Sequence, residues 1–196
     1  MGAVDAAVAA LEAGGLVVLP TDTVYGLAAL PEQEPVETLL ELKQKPEGTP
    51  IALVAASVDV LLDRVPELRR RDETIARALL PGPYTLVLAN PARRFPWLCG
   101  TTPGSIGVRV PALSGDAATI LRRVGAVAAT SANLHGGPDP RTAAAVPAEI
   151  ARAALVVDGG ELPGTASTVI DFTTPVPRVI REGAAPSADA IRRALG

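Results

Sequence analysis

Residues 16–27 read Leu16-Val17-Val18-Leu19-Pro20-Thr21-Asp22-Thr23-Val24-Tyr25-Gly26-Leu27, and the first four decide the fold. A short unbroken apolar run closed by proline is the pattern of a strand buried on both faces, inside a sheet covered by helices. Just before it, Val4, Ala7, Val8 and Leu11 recur at helical spacing, and Gly14-Gly15 stops that helix. Further helical signals fall at 36–43, 58–65, 67–80, 116–124 and 187–195, the last with Ser187 as its expected N-cap. Strand-like runs fall at 51–55, 84–89, 106–110, 126–129, 155–157, 167–172 and 178–180. Helices and strands alternate for most of the length, and strands crowd together near the C-terminus. That pattern predicts an α/β fold with a twisted, mixed β-sheet flanked by helices. No internal repeat or long linker divides the chain, so residues 1–196 are expected to form a single domain, with 91–103 as a surface loop.

Composition removes several classes of function. The chain is 48% hydrophobic and 20% charged, with a formal net charge of −3. Stable direct nucleic-acid binding is not expected, because gripping a phosphate backbone needs a basic face that releases counterions. Five aromatic residues, scattered, make no base-stacking platform. One cysteine, Cys99, and one histidine, His135, allow neither a disulfide framework nor a Cys/His metal cluster. There is no secretory signal pattern and no apolar stretch of the ~20 residues that span a bilayer, so a cytoplasmic location away from membranes is expected.

Chemistry collects where the apolar runs end. Residues 16–19 run into Thr21-Asp22-Thr23, and residues 126–129 into Thr130-Ser131-Ala132-Asn133. In open α/β sheets ligands bind where strands end; the same residue types also close turns, and either reading suits each cluster alone. The lysines say more. Against sixteen arginines the chain has two lysines, Lys43 and Lys45, both in the segment Lys43-Gln44-Lys45-Pro46-Glu47-Gly48-Thr49. A compact ammonium suits phosphate oxygens; a pair of cations at a helix C-terminus also complements the helix dipole. Standing at a turn, Lys43 is expected to be exposed and to add little stability. Arg109, inside the apolar run 106–110, and Arg181, after Val179-Ile180, are ligand candidates because a charge so placed needs a partner.

These residues resemble a known family. Pro20 to Leu27 looks like the opening signature of the YrdC-like threonylcarbamoyl-AMP synthases. The resemblance continues through the lysine turn, Pro81-Gly82-Pro83-Tyr84-Thr85, Val108-Arg109-Val110-Pro111, Ser131-Ala132-Asn133, Ser167-Thr168-Val169-Ile170-Asp171 and Arg181-Glu182-Gly183. It implies a positively charged cavity in which L-threonine and bicarbonate or CO2 form a carbamate. That carbamate attacks the α-phosphate of ATP, carried with Mg2+, and releases pyrophosphate. A downstream tRNA threonylcarbamoyl-transferase complex would use the product to make threonylcarbamoyladenosine. Carried over by position, Thr23, Arg109, Ser131 and Ser167 would hold L-threonine. Lys43 and Lys45 would be catalytic, and Lys45, Thr49, Ser105, Asn133, Arg141 and Arg181 would face ATP, with no protein-borne metal site. Two positions depart from the family. Its usual Lys-x-Arg turn is Lys43-Gln44-Lys45 here, and the histidine it often carries after the next strand has no counterpart. The alternative reading is a nucleotide-binding paralogue of the same fold, with different or no synthase activity, linked to RNA or ribosome maturation.

Overall fold

The structure is a computed structural model that describes residues 2–196. In chain order it comprises α1 (Ala3–Glu12), β1 (Leu16–Pro20), β2 (Tyr25–Ala29), α2 (Gln33–Leu42), β3 (Ala52–Ala55), α3 (Val58–Arg64), α4 (Arg71–Leu79) and β4 (Tyr84–Ala89). There follow β5 (Ser105–Arg109), α5 (Gly115–Val124), β6 (Ala126–Ser131), α6 (Ala148–Ala153), β7 (Ala154–Val156), β8 (Thr168–Asp171), β9 (Arg178–Arg181) and α7 (Ser187–Leu195). All nine strands form one sheet in the order β7-β1-β2-β6-β3-β5-β4-β8-β9. The β1–β7, β3–β5 and β4–β8 pairs are parallel and the other five antiparallel, so the mixed sheet expected from the sequence is the one observed.

The two faces of the sheet are clothed unequally, and that inequality makes the site. One face packs along its length against α2, α3, α4, α6 and α7, through residues such as Leu39, Leu61, Leu79, Ile150 and Ala190. The other face carries a smaller core built by α1 and α5, where Ala7, Leu11, Ile120 and Leu121 cover Val17, Leu19, Ala28 and Val127. No residue of β4, β5, β8 or β9 belongs to that second core. On those strands burial alternates: Tyr84, Leu86 and Leu88 are buried while Thr85 and Val87 are less so, and Ile106 and Val108 alternate with Ser105, Gly107 and Arg109. Period-two alternation means one covered and one uncovered face. The uncovered face carries Thr85, Ser105, Gly107 and Arg109 beside Val87 and Val169, a floor of mixed polarity on which a ligand can rest.

Several elements depart from the sequence reading. Residues 25–29 form β2, a buried strand antiparallel to β1 and β6; Gly26 and the turn-like Thr21-Asp22-Thr23 mask it in the sequence. Helix α4 starts four residues late, because Arg70 sits at φ 53, a left-handed conformation that cannot continue a helix. The residue preceding the last helix is Pro186, and Ser187 is its first residue. The Ser187 hydroxyl is bonded to Glu182 instead of capping. Helix α6 went unread because residues 143–154 are mostly alanine and carry little periodicity.

Candidate functional site

The uncovered half of the sheet floors a cavity of about 510 Å³. Register explains its shape. Ala28 pairs with Ala129, Ala129 with Ala52, Gly107 with Val87, and Val87 with Asp171. The row of small side chains leaves depth above the strands. A Cβ added at Gly107 would meet nothing nearer than the Ala52 Cα at 3.8 Å, so glycine here keeps space open without being forced by the backbone. Thr21, Gly26, Lys45, Ser105, Arg109, Ser131, Ser167 and Arg181 are among the lining residues. The polar groups sit at strand ends as expected, Arg109, Ser131 and Arg181 closing β5, β6 and β9, while strand interiors supply the floor.

Arg109 closes β5 and is held by the Thr21–Thr23 turn. Its Nη2 donates to Asp22 Oδ1 and to Thr23 Oγ1 (2.8 Å), while Asp22 Oδ2 accepts from the Ala112 N–H (3.0 Å). The turn is locked by Thr21 Oγ1, which bonds Thr23 Oγ1 at 3.0 Å and donates to Val24 O at 2.6 Å. The Arg109 and Asp22 side chains are 11% and 12% exposed, so this is a nearly dry ion pair. Burial, with some help from the Arg181 charge, pulls the Arg109 guanidinium down from its ordinary value, and Asp22 opposes both. Its Nε is buried and donates to nothing among the described residues. Thr23 is fully buried, one layer behind Arg109, and is not part of the cavity wall.

The lysine turn parts its two cations by a helix-closing device. Gln44 N donates to Glu41 O (2.9 Å) and Lys45 N to Leu40 O (3.1 Å), the paired bonds of a Schellman closure, with Gln44 at φ 54 in the position glycine usually takes. The reversal sends the two side chains apart. Lys45 lines the cavity; Lys43 is 2% exposed and turned inward. The Lys43 ammonium donates to Ser131 O and to Asn133 Oδ1 (2.7 Å). Asn133 also accepts from the Ser131 hydroxyl (2.6 Å) and donates to Gly137 O (2.6 Å). Burial, then the charge of Lys45, lowers Lys43 to about 8, with Asp139 pulling the other way. The expectation of an exposed Lys43 is thus corrected: the left-handed Gln44 folds it under the Ser131–Asn133 segment, where it is a strut. Lys45 is lowered by burial and by Arg181, so those two cations share a neighbourhood.

On the far side, Arg181 Nε and Nη2 donate to Ser167 O (3.1 and 2.8 Å), and Nη2 also to Ser167 Oγ (3.3 Å). Ser105 lines the cavity with its hydroxyl bonded to Thr102 O (3.2 Å). Thr49 donates to Pro46 O (2.6 Å) and is outside the lining, as is Asn133. Arg141 is outside it too, paired at 2.9 Å with Glu161. Six of the eleven sequence candidates, namely Lys45, Ser105, Arg109, Ser131, Ser167 and Arg181, thus share one cavity. Asp22 and Thr85 belong to the same constellation and went unassigned. Asp22 stood inside the quoted signature, and Thr85 alternates with apolar neighbours on β4, a signal readable once the covered face is known.

The arrangement is a cavity lined by four cations, Lys45, Arg109, Arg178 and Arg181, and by one acid, Asp171, which pairs with Arg178 at 3.2 Å. The Asp22 carboxylate, just behind the wall, is spent on Arg109. Such a site takes anions of two kinds: a carboxylate on the forked guanidinium and phosphates on the ammonium and second guanidinium. No cluster of three or more His, Cys, Asp or Glu able to hold a metal occurs among the described residues, and no helix there is long and apolar enough to cross a membrane.

Comparison with known proteins agrees with the geometry. The family model for Sua5, YciO and YrdC, described as "Telomere recombination", matches residues 9–183. A putative threonylcarbamoyl-AMP synthase of Mycobacterium tuberculosis is 35% identical over 97% of this chain and 88% of its own length. A threonylcarbamoyl-AMP synthase of Xanthomonas euvesicatoria is 40% identical over 79% of this chain and 84% of its own. Among solved structures, P. abyssi Sua5 complexed with L-threonine superposes with a TM-score of 0.84 at 31% identity, covering 98% of this chain. This chain spans 57% of that longer protein. On the family model, the identities and the shared sheet, the chain belongs to the Sua5/YciO/YrdC family.

Proposed function

We propose that this protein is a threonylcarbamoyl-AMP synthase, a nucleotidyltransferase that makes L-threonylcarbamoyl-AMP and pyrophosphate from L-threonine, bicarbonate or CO2, and ATP. The observation that carries the reading is the Asp22–Thr23 clamp that holds Arg109 in the wall of the same cavity as Lys45 and Arg181. Such a cavity suits a small amino acid carboxylate beside a polyphosphate. The threonine-bound Sua5 relative supports the first half of that pairing.

In this reading the threonine carboxylate sits on Arg109, while Ser131 and Ser167 reach its hydroxyl and amine from opposite walls and Thr23 fixes the guanidinium. The amine nitrogen adds to the carbon of CO2 and gives up a proton. A carbamate oxygen then forms a bond to the α-phosphorus, and the bond to the bridging oxygen breaks, its electron pair leaving with pyrophosphate. Lys45 and Arg181 hold the phosphates, and the protein's task is positioning and charge neutralisation. Lys43 acts through Asn133 and Ser131. Thr49, outside the cavity lining, closes the lysine turn on Pro46 O, and Ser105 faces the nucleotide with Lys45 and Arg181. Arg141 joins them by leaving Glu161, a cheap step because that pair is 57% and 67% exposed and such pairs are worth under about 1 kcal/mol. Mg2+ would travel on the triphosphate, held by phosphate oxygens and water as is usual for nucleotide sites. The product would pass in the cytoplasm to a tRNA threonylcarbamoyl-transferase complex, and this acidic chain need not hold tRNA itself.

The test is pyrophosphate release with each substrate omitted in turn, then with serine or valine replacing threonine. Release should require threonine and bicarbonate, fall modestly with serine, and fall about tenfold or more with valine, whose methyl leaves buried donors unpaired. Equal release with valine and threonine would sink the amino acid assignment.

A further inference from the structure

The sheet register singles out Thr85. Leu86 pairs with Val108, which sets Thr85 opposite Arg109; Thr85 pairs with Val169, and Val169 with Arg181. One row thus runs Arg109, Thr85, Val169, Arg181 across β5, β4, β8 and β9, and all four residues line the cavity. The two arginines sense each other's charge across the row, as the lowering of Arg109 by Arg181 records. Between them Thr85 Oγ1 bonds Ser167 Oγ at 2.8 Å, and Arg181 Nη2 donates to the same serine oxygen at 3.3 Å. Two hydroxyls carry two protons, and their mutual bond uses one. The second proton finds no acceptor among the described residues, so the pair presents one donor to the cavity between two cations.

Covalent connectivity says what lies there. In a threonylcarbamate poised on ATP, the carbamate is the link between the amino acid carboxylate and the α-phosphate. With the carboxylate on Arg109 and phosphates on Lys45 and Arg181, as the synthase reading on which this rests has them, the carbamate must pass over Thr85. We infer that the Thr85–Ser167 hydroxyl pair seats the carbamate, the bicarbonate-derived group, and that Thr85 is a further substrate-touching residue of the reaction. The hydroxyl proton is donated to one carbamate oxygen and leaves the other free to attack phosphorus. Anion between Arg109 and Arg181 also relieves their mutual repulsion.

The experiment measures the KM for bicarbonate in degassed buffer, by pyrophosphate release, for the wild type, Thr85→Val and Thr85→Ser, with the L-threonine Kd of each by calorimetry. Valine keeps the branched shape that suits a strand and loses the hydroxyl. Thr85→Val should raise the bicarbonate KM about tenfold or more, the factor expected for one lost hydrogen bond to a charged group. The L-threonine Kd should stay within about twofold, and Thr85→Ser should recover most of the loss. A bicarbonate KM unchanged in Thr85→Val, beside normal wild-type turnover, overturns the inference alone, as does a threonine Kd that weakens in step with it. Absence of bicarbonate-dependent release by the wild type overturns the synthase reading, and the inference falls with it.

Discussion

Replacing Asp22 by Leu and Arg109 by Met, singly and together, separates what the clamp contributes to folding from what it does for the ligand. In the native protein both side chains are nearly dry, and Asp22 accepts from Arg109 and from the Ala112 N–H. Removing either partner strands a buried charge, which costs about 3–5 kcal/mol. For Asp22→Leu the Ala112 N–H, on an exposed residue, turns to water and adds little to this. Arg181, already repelling Arg109, makes the stranded guanidinium worse. Removing both charges leaves neither stranded, and apolar replacement of a buried pair is often close to neutral. The double variant is therefore expected to lie within about 2 kcal/mol of the wild type, far less destabilised than the single costs added together, yet to bind no L-threonine. Urea unfolding supplies the stabilities and calorimetry the binding. Single variants costing under about 1 kcal/mol, or strictly additive costs, would show that the pair is solvated and that the dry-clamp argument is wrong. A double variant that still binds L-threonine would remove Arg109 from the carboxylate.

Other consequences follow from the floor and the lysine turn. Gly107→Leu should keep or raise the thermal midpoint, because a Cβ there has room and glycine weakens a strand, while nucleotide binding, read by calorimetry, falls at least about tenfold as the side chain fills the cavity; unchanged binding would move the site off this face. Lys43, lowered to about 8 from 10.5, binds its proton more weakly folded than unfolded, so stability should rise with pH between about 8 and 10.5 and be lost again as pH falls through 8. That window is worth at most about 3 kcal/mol, and Lys43→Met should flatten the slope; a wild-type urea midpoint independent of pH there would refute the buried, proton-poor lysine. Lys45→Arg should keep or raise pyrophosphate release, since the fork adds bidentate phosphate contact, and Lys45→Ala should abolish it with little change in unfolding midpoint.

How much of this was legible in the sequence depended on the reach of each signal. Leu16–Leu19 announced a buried strand because a run of four apolar residues needs no partner to be recognised, and the amphipathic α1 and α5 were readable from their own spacing. Strand β2 was not, since its Gly26 and the preceding Thr-Asp-Thr look like a turn until β6 supplies hydrogen bonds to it. The candidate site behaved alike. Arg109 and Arg181 stood out because a charge inside an apolar run has few uses. The parting of Lys43 from Lys45 hinges on one left-handed residue, Gln44, at a position where glycine would have given warning. Asp22 and Thr85 carry no message of their own. Their roles arise from register, which joins Thr85 to Arg109 and Arg181 across four strands that lie far apart in sequence.

The most direct test of the central claim follows isotopically labelled bicarbonate through the reaction. Protein, ATP, Mg2+, L-threonine and labelled bicarbonate are incubated, and the nucleotide products are separated and identified by mass spectrometry. The account predicts labelled L-threonylcarbamoyl-AMP in one-to-one ratio with pyrophosphate, both lost when threonine is omitted and both abolished by Lys45→Ala. ATP consumption without label in an adenylate, or no adenylate from the folded wild-type protein, would contradict it.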